Sequence, residues 1–457
     1  MRIEKDSMGE MEVPEEALYG ASTQRAVLNF PVSGRTMPVA FVRGVGLLKY
    51  ACAAANRKLD RLPAEKSELI EKAALEINEG AHDDQFPVDV FQTGSGTSTN
   101  MNANEVIANR CSQLAGKPIG SKEPIHPNDD CNLGQSSNDT MPTALHLSVA
   151  LALRDTLRPG LERLHSALAL KAERFDDIVK IGRTHLMDAT PLKLGQEFSG
   201  YAAQLAKALQ RTDKAISALE ELAIGGTAVG TGINGHPDFG KEVAAILNER
   251  TGLAFREADN HFEAQAGRDD CVEVAGQLTA IGASLTKVAN DIRLLGSGPR
   301  CGLGELQLPA TQPGSSIMPG KVNPVMSEML VQACLYAQGL CQTVAGAGRD
   351  GHFELNVTIP LMAHCLHESI QCLGNGASLF AERCVEGLEP NLEQIDAHLR
   401  NSLMLVTALN PHIGYDNAAK IAKKAFAEGK TLRETVLEEG LMEAGELDAA
   451  LDPKTMV

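Results

Sequence analysis

The chain has 457 residues, 43% hydrophobic and 22% charged, with a formal net charge of −17. That composition belongs to a globular protein with a large core and disfavours a disordered chain. The acidic balance argues against non-specific binding to nucleic acid or to anionic membranes, but not against an anionic substrate held at a local positive site.

The opening residues Met1-Arg2-Ile3-Glu4-Lys5-Asp6 are charged and lack the apolar core of a secretory signal, and no stretch is apolar for long enough to span a bilayer. Ten cysteines occur without a Cys-x-x-Cys pair or a compact Cys/His cluster. They therefore read as reduced thiols of a cytoplasmic protein rather than as a zinc or iron–sulfur site. Polar, glycine- or proline-punctuated segments follow at Gln92 to Asn104 and His126 to Asp139. Apolar and small residues then recur at three- and four-residue intervals from about Met141 to Phe175 and from Gly195 to Leu222, with a polar segment, Gly182 to Pro191, between them. The same helical spacing returns over Asp269 to Leu295, Val325 to Ala345 and Ile359 to Ala381, with Gly302 to Pro324 as a fourth polar segment. A composition shift near Glu389-Pro390-Asn391 opens a final module with helix-like stretches at Leu392–Leu409 and Asn417–Glu428. Strand-like alternation is scarce, so the expected class is mainly α, a bundle of long packed helices. The expected divisions fall at about residues 135 and 390, giving segments 1–135, 136–390 and 391–457.

Three of the polar segments carry groups suited to an anion. Gly94-Ser95-Gly96-Thr97-Ser98-Thr99-Asn100 and Gln135-Ser136-Ser137-Asn138-Asp139-Thr140 are hydroxyl-rich and each enters a helix, so side-chain donors and free helix-start amides coincide. Either alone is accounted for by helix capping. The third is Gly314-Ser315-Ser316-Ile317-Met318-Pro319-Gly320-Lys321-Val322-Asn323-Pro324. Its glycines allow tight turns, Lys321 adds a full charge, and Asn323-Pro324 reads as an N-cap followed by proline at the first helical position. Two hydroxyl loops together with this lysine loop point to a carboxylate or phosphate substrate. His185, in Gly182-Arg183-Thr184-His185-Leu186, can act as an acid or base near neutral pH if a carboxylate orients it, although a lone histidine is more often structural. Glu328 is the candidate partner. His126-Pro127-Asn128-Asp129 reads by itself as a turn.

Taken together these segments closely resemble the fumarase/aspartase superfamily, and within it the iron-independent class II fumarases. The similarity runs from Glu4-Lys5-Asp6-Ser7-Met8-Gly9 and Thr23-Gln24-Arg25, through the three loops, to Asn401–Asn410 and His412-Ile413-Gly414-Tyr415. Thr184-His185 favours a fumarase, because aspartases typically have Thr-Gln there; Ser136-Ser137 favours the same choice. The resemblance implies reversible anti hydration of fumarate to L-malate through an aci-carboxylate, as in the tricarboxylic acid cycle, with no metal or organic cofactor. It also implies three domains and a homotetramer with a twenty-helix core, whose active sites are each assembled from three subunits. By the same resemblance Ser315 is the base, and His185, oriented by Glu328, handles the departing hydroxyl. Ser95, Gly96, Thr97, Ser136, Ser137, Asn138, Thr184, Ser316, Lys321, Val322 and Asn323 surround the substrate. His126, Pro127, Asn128 and Asp129 match a second dicarboxylate site. The alternatives are an aspartate ammonia-lyase, against which His185 speaks, and a structural or binding protein that kept the fold and lost catalysis. Intact Ser315, Lys321, Asn323, His185 and Glu328 argue against the latter.

Overall fold

The computed structural model describes residues 1–457, and the chain is mainly helical, with strands only in two-stranded pairs. The expected long helices are present at Leu194–Ala218, Asp269–Leu295, Val325–Gly348 and Ile359–Phe380. The run expected from Met141 to Phe175 is helical from Ser137 to Arg174 but passes through a π-helical turn at Leu153–Leu157. No helix is long and apolar enough to cross a membrane. All ten cysteines are free thiols, and Cys301 is the exposed one.

The chain divides into two compact units. The first comprises residues 1–159, 210–282 and 333–375. At its centre is the Val39–Lys58 helix, which packs against Ala64–Asn78, Ser137–Ala152 and Phe239–Thr251. Fourteen of its twenty residues are buried, so it lacks a polar stripe, which is why helical periodicity did not expose it. One helix start in this unit is capped by a group distant along the chain. The Ala21–Asn29 helix begins at Gly20, which has no side chain to cap it; the buried Glu105 carboxylate instead accepts from the backbone N–H groups of Gly20, Ser22 and Thr23.

The second unit comprises residues 160–209, 283–332 and 376–457. Here the segment expected to be a polar loop, Gly182 to Pro191, forms an antiparallel hairpin from Val179–Thr184 and Met187–Lys193. Its alternation is masked because both strands mix polar and apolar residues, with a register irregularity between Ile181 and Arg183. Ile181 packs into a cluster with Leu399, Leu405, Leu409, Ile421 and Val436 of the final module. In that module the expected Leu392–Leu409 helix stops at Asn401, because Ser402 turns extended and caps a 3₁₀ segment, Leu403–Leu409, through Met404 N–H. The next helix, expected from Asn417, begins two residues earlier, at Tyr415.

A buried ion network holds this hairpin. Glu305 is fully buried and meets Lys180 Nζ at 3.2 Å, Arg183 Nη2 at 2.5 Å and His398 Nδ1 at 3.0 Å, while Lys180 also reaches Glu197 at 3.2 Å. Burial alone would raise the Glu305 carboxyl, but the Arg183 hydrogen bond, with Lys180 and His398, outweighs it and holds the group below the ordinary 4.5. Removing one member leaves Lys180, 1% exposed, under-compensated. We expect Glu305→Gln to lose about 3 kcal/mol of stability. Because the folded-state value is depressed, the gap from the wild type should persist above pH 4.5 and close as the pH falls through the folded value. Unfolding curves from pH 3 to pH 8 check this; a gap unchanged by pH would mean that charge is not what Glu305 contributes.

Candidate active site

In the first unit, the loop before the Thr97–Leu114 helix is threaded through a space with no room for a side chain. A Cβ on Gly94 would lie 1.8 Å from the Val357 carbonyl oxygen, and Gly94 O accepts from Ile359 N–H. Gly96 follows at φ +78°, a left-handed value that suits glycine. Thr97 to Asn100 are already helical, so the loop expected over Gln92 to Asn104 ends at Gly96. Ser95 is buried, and its hydroxyl lies 2.8 Å from that of Thr97.

The Ser137–Ala152 helix opens with a capping box: Ser136 Oγ accepts from Asn138 N–H, and Asp139 accepts from Ser136 N–H. The other oxygen of Asp139 accepts from Gly225 and Thr227 N–H at 3.2 and 2.8 Å, and the Asn138 side chain donates to Ala228 O at 2.8 Å. One carboxylate thus fixes two loops against each other. Burial pushes the Asp139 carboxyl up to about 6, against the hydrogen bonds that favour its charge. Thr97, Asn128, Asp129, Ser136, Ser137 and Asn138 all line one cleft of about 750 Å³, together with Thr227, Ala228 and Asn234.

His126 and Pro127 lie outside that cleft's lining. His126 Nδ1 accepts weakly from Asn128 and Asp129 N–H at 3.3 and 3.2 Å, a self-closed turn, and Asp130 accepts from His126 N–H and from Lys66. Pro127 and Asn128 border a separate cleft of about 460 Å³ with Lys5 and Lys122.

In the second unit, His185 and Leu186 are the two residues between the paired strands, at φ +57° and +63°. Positive φ at both central positions matches a type I′ turn, which normally takes Asn-Gly. Holding His and Leu there costs about 1 kcal/mol or more per residue, so the hairpin core over-determines a strained, exposed tip. Thr184 precedes it, also exposed.

The lysine loop is pinched shut. Gly314 N–H donates to Lys321 O at 2.9 Å, and Asn323 Nδ2 donates to Gly314 O at 2.6 Å. Asn323 therefore does not cap the next helix as expected. Glu328 N–H donates to Pro324 O, which puts Pro324 in the cap position of Val325–Gly348 and leaves the Asn323 amide to close the loop. Inside the loop, Ser315 Oγ accepts from Ile317 and Met318 N–H at 3.2 and 3.0 Å. Ser316, Lys321 and Val322 are exposed. Lys321, Val322 and Asn323 border a cleft of about 640 Å³ that also presents Arg293. No hydrogen bond or ion pair joins His185 to Glu328 within the chain, although both belong to this unit.

Comparison with known proteins decides the family. A family model described as "Lyase" matches residues 9–339, and one described as "Fumarase C C-terminus" matches residues 405–457. A class II fumarate hydratase of Thermosynechococcus vestitus is 54% identical over 98% of this chain and 96% of its own. The chain belongs to the class II fumarate hydratase family. A mitochondrial fumarate hydratase of Schizosaccharomyces pombe is 50% identical over the whole of this chain and 88% of its own length. The crystal structure of a class II fumarase from Schistosoma mansoni superposes with a TM-score of 0.96 at 42% identity, covering 99% of this chain and 98% of that one.

Membership in the class II fumarate hydratase family makes the fold fumarase/aspartase-like and the chain a hydro-lyase relative rather than an aspartase relative. The cleft walls also include residues that sequence reasoning missed. Thr227 and Ala228 lie in a Gly-rich segment with no helix or strand signal, and Asn132 belongs to the polar segment His126 to Asp139 but lies outside the hydroxyl-rich loop that begins at Gln135.

The pinch of the lysine loop generates a direct test. A Cβ on residue 314 would sit 2.4 Å from Lys321 O and 2.9 Å from Asn323 N. Gly314→Ala should therefore open the loop and lower kcat about a hundredfold. The unfolding midpoint should stay unchanged, since most of the loop is exposed. Near-normal kcat would show that the pinch is dispensable.

Proposed function

We propose that the protein catalyses the reversible anti addition of water to fumarate, giving L-malate, and that the groups above divide the work as follows. Removing the C3 proton of L-malate, next to a carboxylate that is already ionised, places a second negative charge on that carboxylate. The resulting aci-carboxylate is accessible only if preorganised donors meet the new charge, each contributing on the order of 3 kcal/mol. Lys321 and Asn323 serve the reacting carboxylate; Ser95, Gly96, Thr97, Ser136, Ser137, Asn138, Thr184, Ser316 and Val322 complete the shell.

Ser315 takes the proton. A serine hydroxyl is a poor base unless its oxyanion is stabilised. The observation that carries this reading is that Ser315 Oγ already accepts two backbone N–H bonds in a pinched loop with a lysine. Those amides favour the alkoxide over the hydroxyl. The electron pair of the C3–H bond moves into the C4 carboxylate, then forms the C2=C3 double bond as the C2–O bond breaks. His185, directly or through a water, gives the departing hydroxyl its proton, so that fumarate and water are the products; hydration runs the steps in reverse. No step calls on a metal or organic cofactor.

His185 needs a carboxylate to orient it, and Glu328 does not reach it within one chain. That separation supports a site completed by association: a homotetramer whose active sites draw on three subunits, with Glu328 oriented toward a neighbouring copy's His185. The three-part division at residues 135 and 390, cytoplasmic residence, and a second dicarboxylate site at His126, Pro127, Asn128 and Asp129 belong to the same proposal. The separate cleft that Pro127 and Asn128 border with Lys5 and Lys122 supports the last of these.

The test uses chelator-treated protein, following fumarate by ultraviolet absorbance with L-malate and, separately, L-aspartate. Fumarate from malate alone is expected; fumarate from aspartate alone would replace the hydratase by an ammonia-lyase. Ser315→Ala and His185→Asn should each cut kcat by about 10²- to 10⁴-fold while the tetramer persists in sedimentation. Turnover close to wild type in either variant would remove that residue from the mechanism.

A further inference from the structure

Lys49 is 1% exposed, sits in the middle of the Val39–Lys58 helix, and has no carboxylate bonded to it. Its Nζ donates to Asn132 Oδ1 at 3.1 Å and to Gln135 Oε1 at 2.9 Å, two residues of the cleft wall. Burial lowers its value to about 8, so it remains an ammonium at neutral pH. A buried cation is expensive, and nothing in the steps proposed above uses it.

What it does follows from the direction of hydrogen bonds. An ammonium has three donors and no acceptor, whereas a carboxamide can present either end and a hydroxyl can donate or accept. Facing Lys49, Asn132 must therefore present its oxygen. That oxygen also receives Asn100 Nδ2 at 3.1 Å and Asn104 Nδ2 at 3.3 Å, so Asn100 must present its NH₂ group. The same NH₂ group of Asn100, 1% exposed, donates to Ser137 Oγ at 3.0 Å. Ser137 is thereby made an acceptor on its inner side, and its own proton is directed elsewhere. Were Asn100 turned over, its oxygen, which has no partner, would face Ser137 and draw that proton inward. The Asn132 amide nitrogen is in turn fixed by Gln135 O at 3.1 Å.

We propose that Lys49 is a positioning residue: through Asn132 and Asn100 it sets the polarity of a buried relay that leaves the Ser137 hydroxyl free to donate into the cleft, to a carboxylate of the bound dicarboxylate. The inference rests on the dicarboxylate reading above and deepens it. It assigns a role to a residue four hydrogen bonds removed from the ligand and makes the anion affinity of the cleft depend on a cation that never touches the anion. Asp139, buried near Lys49, is already committed to three backbone N–H groups, so it does not compete for the lysine.

The experiment is a double-mutant cycle on the assembled protein, with succinate, an unreactive saturated dicarboxylate, titrated calorimetrically into the wild type, Ser137→Ala, Lys49→Met and the double variant. Each single change should weaken succinate about tenfold, and the double variant should bind no more weakly than Ser137→Ala alone, because Lys49 acts only through that hydroxyl. In turnover, Lys49→Met should raise KM with a smaller change in kcat, as loss of uniform binding does. Effects that multiply in the double variant, wild-type affinity in Lys49→Met, or no succinate binding by the wild type would each overturn the relay. If Lys49→Met does not fold, Asn100→Ala takes its place in the cycle with the same expected non-additivity. Failure of the wild type to release fumarate from L-malate, with the succinate cycle intact, would sink the hydratase reading alone. Normal turnover with a failed cycle would sink the relay alone.

Discussion

A cleft of the kind proposed, binding an anion with neutral hydroxyls and amides, works only if each hydroxyl proton faces the ligand, and the first unit places groups that can set that direction behind the cleft wall. Hydroxyls and carboxamides have no inherent direction, so some group that can only donate or only accept must set it. Lys49 is the donor-only end of the chain leading to Ser137, and Asp139 is the acceptor-only group that fixes the Ser136 backbone N–H, while the Ser136 hydroxyl oxygen is held by accepting from Asn138 N–H. Both are buried, one cationic and one carboxylic, and each is anchored by dipoles rather than by the other. Neutral donors of fixed orientation avoid placing several cations side by side, and they need no rearrangement when charge develops.

The second unit meets the same demand by strain and closure. His185 is held at a left-handed tip by a hairpin whose base is locked into the Glu305 ion network, two residues from the tip at Arg183. The lysine loop reaches a comparable result with backbone alone: Gly314 permits the close approach of Lys321 and Asn323, and the loop's own amides turn on Ser315 Oγ. In each case a side chain proposed to be catalytic sits on an exposed segment whose ends are fixed by buried or tightly hydrogen-bonded groups. This reconciles exposure to substrate with defined geometry.

Helix N-termini recur as the currency of both organisation and binding. At Gly20 and Ser136 the free amides or cap positions are satisfied by carboxylates of the protein itself, Glu105 and Asp139, which makes those starts rigid. The hydroxyls of Ser136 and Ser137 ride on a helix start stabilised in this way, so their positions inherit the stiffness of the helix behind them.

Much of this was legible in the sequence. Long runs with three- and four-residue apolar spacing located the Asp269–Leu295, Val325–Gly348 and Ile359–Phe380 helices closely, because a helix with one buried stripe writes that stripe into its sequence. The candidate groups around Ser95, Ser136, His185 and Ser315 stood out because glycine, hydroxyl and lysine residues cluster there without serving a core. What the sequence could not carry was anything decided by partners distant along the chain. The Val39–Lys58 helix is buried on nearly every side and so has no stripe. The His185 segment is a hairpin because its strands pair with each other and pack on the final module, not because they alternate. Asn323 closes a loop instead of capping a helix because Gly314, nine residues away, offers its carbonyl. Lys49, a single cation in an apolar run, acquires its meaning only from Asn132, Asn100 and Ser137, which the tertiary fold alone brings to it. Local periodicity and composition fix which elements form; hydrogen-bond direction at a buried site is fixed only once the donor and acceptor have been placed.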